Sequence, residues 1–506
     1  MIDAIDALLN RVTMYRLAIY CIGGQLGAAF LLGFVKLAPV DSTALAFSGV
    51  IILATCWGAN RLFEALFDVP ANTESFLITA LILTLIMPPV VAANLIGVGG
   101  LILASFAAIA SKFLLAVRSR HLFNPVALGV ALSSLALDQP ATWWIGGNLS
   151  LAPIVIVGGC LIVRKVQRFD MLAVYIGANL LATLLANPMD HWLEAVTQAF
   201  AYSPLLFAGF IILTEPMTAP QGFAPRLAFA ALTGALSSAS LHIGDYYFTP
   251  EVAFLVGNLF AFAASPQGRL KLTLLRVEEM AAGCYDFVFA TNRKLAFEAG
   301  QYLDWTLRVA NPDDRGNRRP FTIASAPAQN ELRMGVKFNP DPSAYKLALA
   351  ALQPGDVVYA QQLAGDFTLP ADASKKLAFI AGGIGVTPFR SILQQLVDTG
   401  ARRPVILLYG NNRAEEIAYA DLFTRAQDEL GIRTVYIIAE NAPDNIENVY
   451  AGFIDADLIK HEIPDYAERM FYLSGPRAMV MVFQRVLREL GVARSHIKID
   501  YFPGFA

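Results

Sequence analysis

Leu377-Ala378-Phe379-Ile380-Ala381-Gly382-Gly383-Ile384-Gly385-Val386-Thr387-Pro388 decides the fold of the C-terminal half. Five consecutive apolar residues predict a strand buried on both faces, as in a parallel sheet. Three glycines within four positions then let the backbone turn sharply and approach a charged group. Pro388 suits the first turn of a helix, where its missing N–H costs nothing. The N-terminus of that helix favours anions. Strand, glycine turn and helix in that order predict a unit that binds a diphosphate. Gly382, Gly383, Gly385, Thr387 and Pro388 are its candidate residues, although the spacing is not Gly-x-Gly-x-x-Gly.

Downstream, strand-like runs at Val405–Tyr409, Thr434–Ile438 and Met470–Leu473 alternate with helical stretches, which predicts a parallel sheet. Ser474-Gly475-Pro476 ends the last run. Upstream, from Leu270 to about Pro370, short alternating strands and turn residues predict a small antiparallel barrel. Within it lie Gly300-Gln301-Tyr302 and Arg319-Pro320-Phe321-Thr322. A guanidinium can clamp a pyrophosphate, an aromatic ring can pack on a flat heterocycle, and a hydroxyl can hydrogen-bond its edge. The bare pattern is weak, because Arg319 could be a surface charge and Phe321 a core residue.

Taken in order, these motifs resemble the ferredoxin–NADP reductase superfamily over residues 268–506. The resemblance implies FAD held by Gln301, Tyr302, Arg319, Pro320, Phe321 and Thr322, and NAD(P)H held by the glycine turn with Ser474, Gly475 and Pro476. Thr322 would face the redox-active edge of the flavin, and Ser474 would lie near the nicotinamide, where the family carries Cys. Phe502 or Phe505 would cover the flavin; ordinary packing is the competing reading for either. Arg413, after a strand, could meet a 2′-phosphate or stand as a solvated charge, so NADH and NADPH are not separated.

The N-terminal half belongs to another solvent. Hydrophobic content is 56% and mean hydropathy +0.51, above the roughly 45–50% apolar usage of soluble domains. Only 11 of the 38 Lys and Arg precede Ser265. Ten apolar segments can be drawn, near 15–37, 43–60, 74–92, 95–117, 124–138, 146–164, 171–188, 195–214, 224–241 and 250–265. With a cytoplasmic N-terminus, every one of those cations but Lys36 falls inside, while Asp41, Asp138, Asp190, Glu194, Asp245 and Glu251 fall in outer loops. That is the positive-inside pattern. No cleavable signal is expected, because the first apolar run follows a charged amphipathic stretch.

This half also reads as an internal repeat. Leu83–Pro89 is matched by Ile212–Pro216, and Phe123-Asn124-Pro125 by Phe248-Thr249-Pro250, five segments apart. An odd offset makes the second copy inverted, and inverted repeats with broken helices build sites near the midplane. Glu215 stands beside Pro216 in an otherwise apolar run. An intramembrane carboxylate is a functional candidate by default; the alternative is that it reaches the interface near Arg226. Leu122–Gly129 with Gln139–Trp143, and Ile211–Ala219, resemble the Phe-Asn-Pro and Ile-Leu-Thr-Asp-Pro-Val-Thr stretches of the D subunit of Rnf complexes. The related B subunit of the sodium-translocating NADH:quinone oxidoreductase shares the fold, and the resemblance covers roughly residues 15–265. It implies a flavin-bearing membrane subunit. Those subunits attach FMN through the Thr of a Gly-Ala-Thr-type motif, which this chain lacks. The expected membrane flavin, FMN or riboflavin, is therefore non-covalent. Asn124, Glu215, Thr218 and Thr249 are the candidate site, for flavin or ion.

The expected architecture is multi-domain: a polytopic α-helical membrane bundle of about ten helices over 1–265, an antiparallel β-barrel FAD domain over 266–370, and an α/β parallel-sheet nucleotide domain over 371–506. The expected function is electron transfer from cytoplasmic NAD(P)H through FAD to a membrane flavin and an extracytoplasmic acceptor, such as a flavin-carrying protein. A quinone reductase at the inner face and a redox-linked ion or solute transporter are the alternatives. The bilayer is the expected setting, in a bacterial-type inner membrane with both termini cytoplasmic. Net charge of −3 gives no case for nucleic acid. Four scattered cysteines argue against an iron–sulfur cluster and a metal site. His121, His191 and His242, irregularly spaced, argue against haem.

Overall fold

The computed structural model describes residues 9, 12–38, 40–67, 73–117, 120–220, 222–244, 246–264, 270–309, 317–442 and 448–502. The chain divides into two compact units, Met1–Gly268 and Arg269–Ala506.

The first unit is helical: α1 (Met14–Phe34), α2 (Ser42–Phe67), α3 (Thr73–Ile86), α4 (Leu95–Leu114), the β1–β2 pair (Ala116–Val117, Arg120–His121), α5 (Pro125–Leu137), α6 (Ala152–Val166), α7 (Phe169–Ala186), α8 (Trp192–Ala201), α9 (Leu205–Ile212), α10 (Phe223–Leu236), the β3–β4 pair (His242–Ile243, Tyr246–Tyr247) and α11 (Pro250–Ala264). Among the described residues, α1, α2, α4 and α7 are long and apolar enough to cross a membrane by length and composition. The eighth predicted segment is two helices, α8 and α9, bent by 56°, with Ser203-Pro204 at the break, where proline disfavours continued helix. The order of packing partners recurs: α4 packs on α2 and α5, and α10 on α7 and α11.

Two helix ends inside this unit, the C-terminal end of α3 and the N-terminal end of α5, are satisfied by loop amides and side chains. The carbonyl of Ile86, where Pro88-Pro89 ends α3, accepts from the Thr142 and Trp143 amides, each at 2.9 Å, and that of Met87 from Trp144 Nε1 at 3.0 Å. Asn124 N-caps α5, its Oδ1 accepting from Ala127 N at 3.0 Å, with Pro125 in the first turn. Close helix approach falls at glycines. A Cβ on Gly129 of α5 would stand 2.3 Å from the Ala104 carbonyl oxygen of α4, and one on Gly257 of α11 would stand 2.2 Å from Thr233 Cγ2 of α10.

The second unit holds two six-stranded sheets. β5 (Leu270–Ala281), β6 (Cys284–Thr291), β7 (Tyr302–Thr306), β8 (Arg318–Thr322), β9 (Glu331–Lys337) and β10 (Val357–Ala364), with α12 (Ala344–Ala350) before β10, form an antiparallel sheet in the order β8-β7-β10-β5-β6-β9. The parallel sheet comprises β11 (Leu377–Gly382), β12 (Val405–Asn411), β13 (Arg433–Ile438), β14 (Val449–Ala451), β15 (Met470–Pro476) and β16 (Ile497–Phe502), in the order β14-β13-β12-β11-β15-β16. Between these strands run α13 (Thr387–Thr399), α14 (Ala420–Leu430), α15 (Ala456–Glu462) and α16 (Arg477–Glu489). Leu377 to Ala381 are all fully buried at its centre, as expected of a strand covered on both faces. The direction of growth reverses between β11 and β15, the switch point at which such sheets bind ligands.

Candidate functional site

At this switch point the backbone does most of the work. β11 ends at Gly382, where a Cβ would lie 2.2 Å from Met479 Sδ. Gly383 has φ +52 and nothing within 4 Å of its Cβ position, so the turn needs glycine and its outer face admits a diphosphate. Gly385 packs on the β15 end, its Cβ position 2.5 Å from Gly475 Cα and 2.6 Å from the Ser474 carbonyl oxygen. Thr387 opens α13 with Pro388 in its first turn, and its hydroxyl donates to the Ile384 carbonyl at 3.2 Å. The glycine cradle and helix N-terminus fit a dinucleotide diphosphate.

β8 carries Arg319, Pro320, Phe321 and Thr322, with Thr322 opposite Tyr302 on β7. Arg319 donates to the Arg318 carbonyl at 2.8 Å and lies 5.1 Å from the Tyr345 ring centroid. Phe321 stacks on the same ring at 5.9 Å. Gln301 is tied into its own loop: its Oε1 accepts from Glu298 N at 2.9 Å and its Nε2 donates to the Gly365 carbonyl at 3.3 Å. Its contribution is to hold the turn before β7. Thr322 is buried, and its hydroxyl donates to the Asp500 carboxylate. Burial pushes that carboxyl up to about 6, and the Thr322 bond opposes the shift. Asp500 on β16 is the cross-strand partner of Ser474, which pairs in turn with Ala381. Ser474 is fully buried and its hydroxyl has no partner, a polar group suited to a ligand's amide or carbonyl.

The structure thus links Thr322 and Ser474 through Asp500, which sequence reading missed. No local signal marks it: in Ile497-Lys498-Ile499-Asp500 the acid takes the polar position of an alternating strand, beside Lys498. Phe502 pairs with Pro476 in the sheet, and Phe505 lies outside the described residues. Arg413 is an exposed residue engaged by Glu440 at 3.1 Å.

In the helical unit three of the four candidates come together. Glu215 accepts from Asn124 Nδ2 at 2.5 Å and from Thr218 Oγ1 at 3.2 Å. Asn258 of α11 joins them, its Oδ1 accepting from the Asn124 amide at 2.7 Å while its buried Nδ2 has no partner. Thr249 forms no bond to this set, and its buried hydroxyl is also without a partner. Arg226 pairs with Asp170, so Glu215 is not its counter-ion. Glu251, expected in an outer loop, is buried in the first turn of α11 and accepts from Trp143 Nε1 at 3.1 Å. A carboxylate beside a helix N-terminus is favoured there, which offsets part of its burial.

Comparison with known proteins places the chemistry. Residues 379–485 match the model of the oxidoreductase NAD-binding domain. The flavohemoprotein of Candida albicans is 28% identical over 212 residues, 40% of this chain and 51% of that protein. The flavohemoprotein of Deinococcus radiodurans is 27% identical over 201 residues, 39% and 49% respectively. The chain spans about half the length of these relatives. Among solved structures, the Amycolatopsis cytochrome P450 reductase GcoB is similar at 26% identity and TM-score 0.42, covering 46% of this chain and 69% of that one. A flavohemoglobin from Malassezia yamatoensis with bound FAD and heme is 20% identical at TM-score 0.44, covering 71% and 100%. The C-terminal unit is an NAD(P)H-dependent, FAD-type oxidoreductase module.

These comparisons correct one expectation. The sequence reading excluded haem, whereas the curated relatives that match are flavohemoproteins. The exclusion rested on the absence of paired histidines. Haem iron can be held by a single axial His, Cys or Tyr, so that absence carries no weight.

Proposed function

We propose that the chain draws electrons from cytoplasmic NAD(P)H through FAD in its C-terminal unit, passes them to a flavin held non-covalently among its apolar helices, and delivers them to an extracytoplasmic acceptor. On this reading the three working parts are 1–265 in the inner membrane, 266–370 for FAD and 371–506 for NAD(P)H, with both termini cytoplasmic. The carrying observation is a polar set, half-buried Glu215 with buried Asn124, Thr218 and Asn258, inside a unit with four helices long and apolar enough to span among the described residues. Buried polar groups among apolar helices are costly and mark cofactor or ion paths. A hydrocarbon core of about 30 Å exceeds one efficient electron step, so a carrier within it is required.

FAD, when bound, would supply the two-electron to one-electron chemistry: one hydride in, its two electrons out singly. The chain's residues do the rest. Arg319 presents a guanidinium for the FAD pyrophosphate, and the Gly382–Gly385 turn with the α13 N-terminus receives the nicotinamide dinucleotide. Thr322 and Asp500 form a hydroxyl–carboxylate pair that can hold or remove a proton at the flavin edge. Ser474 orients the nicotinamide.

The test is sidedness. Full-length protein in sealed vesicles, with NADH and NADPH outside, should reduce a membrane-impermeant dye trapped inside. Reduction of added quinone with no loss of trapped dye overturns the transmembrane reading and leaves a quinone reductase. Spectra and extraction of the same preparation identify the second redox group.

A further inference from the structure

Arg390 is a charged residue only 6% exposed on α13, one turn beyond Thr387. Its Nη1 donates to the Ala324 carbonyl at 2.7 Å and to Gln329 Oε1 at 3.0 Å. The adjoining Ser391 hydroxyl donates to the Ser325 carbonyl at 2.7 Å. Ala324 and Ser325 lie two and three residues beyond the Arg319–Thr322 motif. One helix turn therefore ties the segment that presents Thr322 to the helix whose start receives the nucleotide.

The surroundings hold this tie rigid. The guanidinium lies 5.6 Å from the Tyr419 ring centroid, and Tyr419 is itself in the left-handed region at φ +61, a conformation that costs a non-glycine residue energy. Behind it, fully buried Asp286 of β6 accepts from Arg333 Nη1 of β9 at 2.9 Å, and Arg333 also bonds Glu278 at 2.9 Å. Gly335 of β9 is pressed against the nucleotide loop, its Cβ position 2.6 Å from Thr387 Cγ2 and 2.7 Å from the Tyr419 hydroxyl. A buried guanidinium must recover its desolvation cost in directed bonds; here Nη1 makes both of its bonds to the one segment that follows β8, at Ala324 and Gln329, while the buried Nε has no partner.

We infer that Arg390, with Ser391, is a positioning residue that sets the distance between flavin edge and nicotinamide. It touches neither reactant; it fixes the strand that presents one against the helix that presents the other. Hydride transfer needs the nicotinamide carbon and the flavin nitrogen that receives the hydride within near-attack distance, and a misplacement of about 1 Å can cost on the order of a hundredfold. This inference rests on the reading of the C-terminal unit as an NAD(P)H–FAD module.

The test uses full-length protein in detergent, with NADH mixed rapidly and flavin bleaching followed. In Arg390→Leu the limiting rate at saturating NADH should fall about ten- to a hundredfold, with FAD content and the NADH concentration for half-maximal rate within about twofold of wild type. Arg390→Lys, which keeps the charge and one donor, should recover part of the rate. Ser391→Ala, which leaves the guanidinium in place, should show the same split at smaller size, and decides the matter if the Arg390 variants do not fold. An unchanged limiting rate, or a loss confined to FAD content or NADH affinity, overturns the inference. Wild type that bleaches with neither NADH nor NADPH overturns instead the module reading on which it rests.

Discussion

Asp500 is held at a cost that its neighbours only partly offset. Its carboxyl is raised from 3.8 to about 6 by burial, so the charged form is disfavoured in the folded protein. The associated penalty is absent below about pH 4 and grows as pH rises through the folded value. Asp500→Asn should therefore melt at higher temperature than wild type at neutral pH. It should also be slower: electron release to a dye is expected to rise through about pH 6 in wild type as the carboxylate becomes able to take a proton, and to lose that step in the variant. A variant that keeps the wild-type pH profile removes Asp500 from the proton path. Glu440 makes a second prediction at this scale. Its carboxylate engages Arg413 at 3.1 Å, and a 2′-phosphate arriving there would meet a negative charge. NADH should be preferred, and Glu440→Gln should raise the NADPH-to-NADH ratio of kcat/KM a few-fold, the modest size expected of an exposed pair. A ratio that does not move leaves Arg413 outside the nucleotide site. These residues also show where sequence reading stops. Gly383 is legible alone because a glycine turn has backbone meaning. Asp500 is not, because only the pairing of β15 with β16 brings it to Thr322. Arg390 reads as the polar face of an amphipathic helix, and only the antiparallel sheet packed against α13 turns it into a buried tie.

The elements of the helical unit were legible from hydropathy, but their interruptions were not. The run at 195–214 looks continuous by composition, yet Pro204 divides it into α8 and α9. Proline marked the ends of α3 and the start of α5 in the same way, and there the reading was direct. What no window of hydropathy conveys is which helix touches which. That is written in small residues: Gly129 lies against α4 and Gly257 against α10, with no room for a methyl group. Gly129→Ala and Gly257→Ala should each cost about 1–3 kcal/mol through forced separation of a helix pair. Gly24→Ala, where nothing lies within 4 Å, should be nearly neutral. Thermal unfolding in detergent with these three variants separates close packing from general intolerance to change.

At the scale of the molecule, each compact unit has its own apolar core. The fragment 270–506 is expected to fold without detergent, bind FAD and reduce a soluble dye with NADH, while losing every activity that needs the membrane acceptor. Aggregation of that fragment would mean that the reductase unit depends on its helical neighbour for stability. There is also a temporal side to the position of Asp500. Arg319 and Thr322 are synthesised well before it, and the eleven described helices of the first unit earlier still. A ribosome still short of Ile497 has made the groups assigned to grip the flavin, but not the carboxylate assigned to its edge. On the proposed pathway the growing chain is wired before it is switched on: the helical unit and the groups assigned to grip the flavin are made while the reductase still lacks its assigned proton acceptor.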